Sequence, residues 1–151
     1  MLTVSGLDEL KALAGRELGH SSWLEITQER VGQFADATGD HQWIHLDVER
    51  AAKGPFRGTI AHGYLTLSLV IPLFGEILHV EGVKMGVNYG LDRVRFPSPV
   101  RVGSKIRLAA TAVAAEEVQS RCLQVSYDFT VEIEGLDKPA CVARPIYRYY
   151  A

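Results

Sequence analysis

Residues 60–78 read IAHGYLTLSLVIPLFGEIL, and this run constrains the fold more than any other. It is nearly long enough to cross a bilayer. However, His62, Pro72, Gly75 and Glu76 interrupt it, and no basic residues flank it closely. A helix that is apolar on most sides can equally be buried in protein. The run therefore predicts one buried helix rather than a membrane span, and such a helix needs apolar cover from the rest of the chain.

That cover is readable downstream, where the hydrophobic period becomes twofold after residue 82. In RCLQVSYDFTVEIE (121–134), Leu123, Val125, Tyr127, Phe129, Val131 and Ile133 point one way. Gln124, Ser126, Asp128, Thr130, Glu132 and Glu134 point the other, as in a half-buried antiparallel strand. KIRLAATAVAA and PACVARPIYRYY read as its neighbours, and VKMGVNYGLDRVRF adds a strand bulged at Gly90. Upstream, residues 6–15 read as a short helix with Ser5 and Asp8 as a capping box, and SSWLEIT reads as a strand. Thr27 caps a second helix, QERVGQFADATG, with Val31, Phe34 and Ala35 on one face and Gly39 as its stop. Asp47 starts a short helix through Ala52, and KGPFRG is a turn-rich loop. The cheapest way to bury 60–78 is an α+β layout in which a curved antiparallel sheet wraps one central helix, the hotdog arrangement. One such sheet leaves open edges, which predicts that two copies pair.

The chain has 151 residues, enough for one domain over 1–151 with a real core, and no repeat or linker divides it. Its net charge of -2 gives no general attraction to nucleic acid, so a phosphate-bearing coenzyme would need a local patch. Cys122 and Cys141 are too few for a disulfide framework and lack zinc spacing; two reduced thiols in a cytoplasmic protein are expected. Asp8 and Glu9 in MLTVSGLDELKALAG argue against a secretory signal.

The chemistry concentrates in GDHQWIH, residues 39–45. His41 and His45 have the i, i+4 spacing of H-E-x-x-H, but that motif needs a helix, and this segment follows a glycine stop. Gln42 stands where the general-base glutamate would be, and no third ligand follows, so no metal is expected. Asp40 and His45 instead flank a loop that can bring carboxylate and imidazole together around one water, and imidazole titrates near neutrality. A capping aspartate with a surface histidine explains the same residues. In TIAHGYLT, His62 and Gly63 stand where the apolar helix starts. Free backbone N–H groups there form an anion site that can polarise a carbonyl and stabilise an enolate, and Gly63 permits close approach. A helix-start histidine that only satisfies buried backbone groups is the alternative for His62.

FADATGDHQWIHLD, FRGTIAHGYLT and LDRVRFPSPVRVGSKIRL occur in that order. Together they resemble the MaoC-like dehydratase family, the (R)-specific enoyl-CoA hydratases, over most of residues 20–112. GDHQWIH looks very like the corresponding stretch of the mycobacterial single-hotdog (3R)-hydroxyacyl-thioester dehydratases. The resemblance implies a hotdog fold and a homodimer or double-hotdog unit. It also implies reversible hydration of trans-2-enoyl thioesters, carried by coenzyme A or acyl carrier protein, without a cofactor. The family's catalytic Asp falls on Asp40, its catalytic His on His45, and its oxyanion N–H on Gly63. The usual family loop reads Asn-Pro where this chain has Gln42-Trp43; Gln42 could orient the histidine or water with a longer arm.

For the coenzyme, Arg93, Arg95, Arg101, Lys105 and Arg107 all fall at odd positions and on strands would share a polar face. They read either as a solvated outer face or as a patch for phosphates or an acidic carrier, with Arg93 and Arg95 as substrate-binding candidates beside Gln42 and His62. A hotdog thioesterase and a non-catalytic acyl-binding subunit are the rival functions.

Overall fold

A computed structural model describes all of Met1–Ala151. The order is β1 (Leu2–Ser5), α1 (Gly6–Lys11), β2 (Glu17–His20), β3 (Leu24–Glu25), α2 (Gln28–Thr38), α3 (Trp43–Leu46) and α4 (Val48–Ala52). Then come α5 (Gly63–Ile77), β4 (Leu78–Glu81), β5 (Met85–Arg95), β6 (Lys105–Gln119), β7 (Cys122–Ile133) and β8 (Cys141–Tyr150). Six strands form one antiparallel sheet in the order β2-β6-β7-β8-β5, with β3 also on β6. No helix is long and apolar enough to cross a membrane.

The twofold pattern of β7 lies as expected, with Leu123 through Ile133 at odd numbers buried. Ile106, Leu108, Ala110 and Ala112 of β6 and Ala143, Tyr147 and Tyr149 of β8 extend the same apolar face. Helix α5 packs on it through Leu65, Leu69, Val70, Leu73, Phe74 and Ile77. Phe74 is the centre of the contact, its ring 4.8 Å from Tyr127 and 4.9 Å from Phe129. Burying tyrosines carries a polar cost, met at one place by Tyr127 and Tyr149, whose hydroxyls bond at 2.9 Å. This is the hotdog arrangement, but the sheet covers only part of the helix: Tyr64 is 72% exposed and Ile71 44%. Strand β5 beside that flank is a sheet edge, solvent-exposed along nearly its whole length. Its bulge falls where expected, since the register with β8 slips between Asn88 and Gly90.

The N-terminal third differs more from expectation. The first helix stops at Lys11, and the Ser5 side chain caps nothing; the Glu9 carboxylate accepts the Ser5 N–H at 2.7 Å instead. Only Leu24–Glu25 of SSWLEIT is strand: the Ser21 hydroxyl accepts the Leu108 N–H, and the Ser22 N–H and hydroxyl both donate to Glu76. Two pairings carried no sequence signal: β2 on β6, and a separate parallel pair of β1 with β4.

Candidate active site

The site begins at the end of α2. Thr27 Oγ1 accepts the Arg30 N–H at 3.2 Å to start this helix. Gly39, at φ 80, ends it in the left-handed region that glycine tolerates. The chain turns there and presents Asp40, solvent-exposed, whose Oδ1 accepts the Gln42 N–H at 3.3 Å. Asp40 lies in the expected loop, but His45 does not: the short helix α3 carries it.

His45 is 6% exposed. Its Nδ1 lies 2.7 Å from the Ile60 carbonyl, and a carbonyl only accepts, so Nδ1 carries the proton and Nε2 keeps a lone pair. Burial holds the imidazole below the ordinary histidine value. The Ile60 bond works against this, His62 adds to the lowering, and the Asp40 charge opposes it. The ring is therefore neutral, with a free lone pair, at neutral pH. Its backbone is fixed as firmly: Gln28 Nε2 donates to the His45 carbonyl at 2.8 Å, while Gln28 Oε1 accepts the Thr59 hydroxyl at 2.7 Å. The Ile60 N–H in turn donates to Ile44 O at 3.0 Å. Gln28 thus ties the first turn of α2 to α3 and to the segment that orients the ring.

His62 is 3% exposed at the start of α5. Its Nε2–H donates to the Asp40 carbonyl at 3.0 Å, and its ring stacks on His45 at 3.8 Å and 23°. Its Nδ1 is buried without a partner. Next to it, Gly63 opens a helix whose first N–H groups have no intrahelical acceptor. The bonds to the His62 carbonyl come from Leu65 and Thr66, which leaves the Gly63 N–H available. A side chain at Gly63 would meet the Phe96 ring at 3.3 Å, so glycine keeps this N–H approachable.

Asp40, His45, His62 and Gly63 line one cleft of about 520 Å³ with Phe34, Thr38, Tyr64 and Phe96, within the size range of small-molecule sites. The cleft offers a carboxylate, an unprotonated imidazole nitrogen, a free helix-start N–H and apolar walls. Ligand atoms of Asp40, His45 and His62 lie within 4.8 Å of one another, close enough on distance alone for an ion. The stacking opposes that use, because lone pairs in two near-parallel ring planes lie side by side and do not converge on one point.

Other sequence candidates lie elsewhere. Gln42 is exposed, and its backbone, not its side chain, holds Asp40. Arg93 lines a surface hollow with Asp92, Asp128 and Arg144, and Arg95 Nη1 donates to Val94 O; neither lines the cleft of Asp40 and His45. Arg107 pairs with Glu132 and lies 4.5 Å over the Trp23 ring. Arg93 and Arg95 of β5 form no single patch with Lys105 and Arg107 of β6, since β7 and β8 separate the two strands, and Arg101 lies between them in sequence, bridged to Ile60. His41 pairs with Asp36 at 3.0 Å, outside the cleft. Gln28, Thr59 and Phe96 were not singled out from sequence. Thr59 sits beside the HG pair and Gln28 follows a cap, but neither position announces a partner more than ten residues away.

The MaoC like domain pattern matches residues 9–133. The chain is 52% identical, over all of both chains, to 3-hydroxyacyl-thioester dehydratase Z of Mycobacterium tuberculosis. It is 45% identical to nodulation protein N of Rhizobium leguminosarum bv. viciae, over 91% of this chain and 86% of that one. Among solved structures, the (R)-hydratase from A. caviae involved in PHA biosynthesis superposes with a TM-score of 0.71. It covers 89% of this chain and 94% of its own, and at 23% identity the likeness speaks to fold alone. With the family pattern spanning most of the sheet, the central helix and the cleft, the chain belongs to the MaoC-like domain family.

Proposed function

We propose that this chain is a hydro-lyase that reversibly hydrates trans-2-enoyl thioesters, on coenzyme A or acyl carrier protein, to (R)-3-hydroxyacyl thioesters. One observation carries the reading: a neutral, buried His45 with its Nε2 lone pair free shares a cleft with the Asp40 carboxylate and the unoccupied Gly63 N–H. Hydration needs a water held at C3, a proton delivered to C2, and a donor to the thioester oxygen where enolate charge develops. Asp40 and His45 hold the water between them, and one takes its proton as it adds to C3. The group that takes this proton passes it on to C2, so the water's O–H bond and the C2=C3 double bond break, C3–O and C2–H bonds form, and both side chains end as they began. The Gly63 N–H, at the positive end of α5, receives the oxygen. The name of the 52%-identical relative supports the same reading.

The experiment is to add crotonyl-CoA and follow loss of the conjugated enoyl absorbance while measuring free thiol. Absorbance loss without thiol release is the expected result. Thiol release would make the chain a thioesterase, and neither signal would make it a binding subunit.

The chain acts as a homodimer in this reading. Leu91 on the open β5 edge and Ile71 of α5 lie exposed along one groove, an apolar flank that a second copy would cover. Light scattering should give twice the chain mass of 16.7 kDa; an active species at that single mass would refute pairing. Buried, free Cys122 and Cys141 fit a reducing compartment.

A further inference from the structure

His62 touches both halves of the proposed acid/base pair, and its chemistry fits neither of two simpler roles. As an N-cap it makes no side-chain bond to the helix it precedes. As core filler it is a poor choice, because Nδ1 is buried without a donor, and an unpartnered buried acceptor is destabilising. A phenyl ring would fill the same space, between Phe34 at 4.8 Å and His45 at 3.8 Å, without that defect. What a phenyl ring lacks is the Nε2–H that reaches the Asp40 carbonyl at 3.0 Å.

We propose that His62 is a positioning residue that clamps acid to base. Its Nε2–H fixes the Asp40 turn, its ring face fixes the His45 imidazole, and one side chain thereby sets the separation of the two reacting groups. Asp40 needs this clamp more than His45 does. The His45 ring and backbone are held by Ile60 and Gln28, whereas Asp40 sits on an exposed turn after Gly39. His62 also shields one face of His45 from water. The titratable groups facing this pair are Asp40 and, on the cleft wall, Tyr64.

The kinetic arm of the test rests on the hydratase reading, and two variants separate the two contacts. His62→Phe keeps the packing and removes the donor. His62→Gln keeps a donor and removes the stacked ring. For His62→Phe, kcat for crotonyl-CoA hydration should fall about ten- to a hundredfold, the scale of a small misplacement of a reacting group. KM should change by less than about threefold, because the clamp acts on reacting groups rather than on substrate affinity. Thermal stability should stay level or rise, since the orphan nitrogen is gone. His62→Gln should recover part of kcat. A His62→Phe protein with parental kcat, or one whose loss follows a drop in melting temperature, would overturn the clamp, as would a loss confined to KM. A second arm needs no activity. In ring-nitrogen NMR, the His45 titration midpoint should rise in His62→Gln as water reaches the exposed ring face, and an unmoved midpoint would count against the shield. If the parent protein shows no hydration at all, the functional reading falls, while the NMR arm still decides the contact.

Discussion

Replacing Asp40 by Asn and His45 by Gln, singly and together, tests whether the two groups serve one water. The structure separates effects on folding from effects on chemistry. The Asp40 carboxylate is exposed, and its one hydrogen bond within the chain, to the Gln42 N–H, is long at 3.3 Å. An amide oxygen can take that bond, so Asp40→Asn should alter stability by less than about 0.5 kcal/mol, the usual range for surface changes. His45→Gln removes a buried bond to Ile60 of 2.7 Å and should cost about 1–3 kcal/mol. That leaves most of a typical stability of about 5–15 kcal/mol, and both proteins should fold. A positioned acid or base contributes about 10²- to 10⁴-fold, so each single variant should lose at least about a hundredfold in turnover. Independent groups would multiply these losses to about 10⁴ or more, whereas groups acting on one water should leave the double variant little worse than the poorer single. Crotonyl-CoA hydration and circular dichroism on the same samples decide. A folded Asp40→Asn protein with near-parental turnover would remove Asp40 from the mechanism, and fully multiplicative losses would refute a shared water.

Four further outcomes follow from the same structure. Because burial first, and His62 with it, holds His45 below its ordinary 6.5, kcat/KM should stay high through neutrality and fall on an acid limb centred below that value; a limb centred above it would refute the neutral-base assignment. The stability sign agrees: unfolded His45 takes up a proton near 6.5 and folded His45 does not, so the folded state should lose stability as pH drops below 6.5, measurable as a falling urea midpoint. Phe74→Ala removes the ring packed against Tyr127 and Phe129 and should cost about 3–5 kcal/mol, lowering the melting temperature by roughly 6–20 °C. Dialysis against a strong chelator should leave hydration unchanged, because the stacked rings of His45 and His62 oppose shared coordination; activity lost on chelation and restored by zinc would overturn that.

The elements that sequence made legible are those whose own pattern decides their burial. The odd residues of β7 have one possible apolar face, and α5 has too much apolar surface to remain uncovered, so the pairing of helix with sheet follows almost by necessity. β1, β2 and β4 have only four residues each, too short for a period, and their pairings are decided by which backbone lies alongside. The basic residues of β5 and β6 fail as a patch for the same reason. Alternation assigns a residue to a face, but adjacency depends on strand order, and β7 and β8 intervene.

The same division runs through the site. Residue type fixes what a group can do, so an aspartate, a histidine and a helix-start glycine already announce a carboxylate, a titrating ring and a free N–H. What brings them to one cleft is orientation, and that is set by groups with no chemistry of their own. The tautomer of His45 is set by the Ile60 carbonyl, the place of its backbone by Gln28 through Thr59, and the place of Asp40 by the Nε2–H of His62. Each of these bonds spans at least fifteen residues and ends on a backbone carbonyl or an amide, groups that recur all along the chain. Only the folded path of α2, α3 and the start of α5 selects which of them meet. A carboxylate and an imidazole five residues apart are ordinary in a loop; held by these three supports, they become a fixed pair facing one cleft.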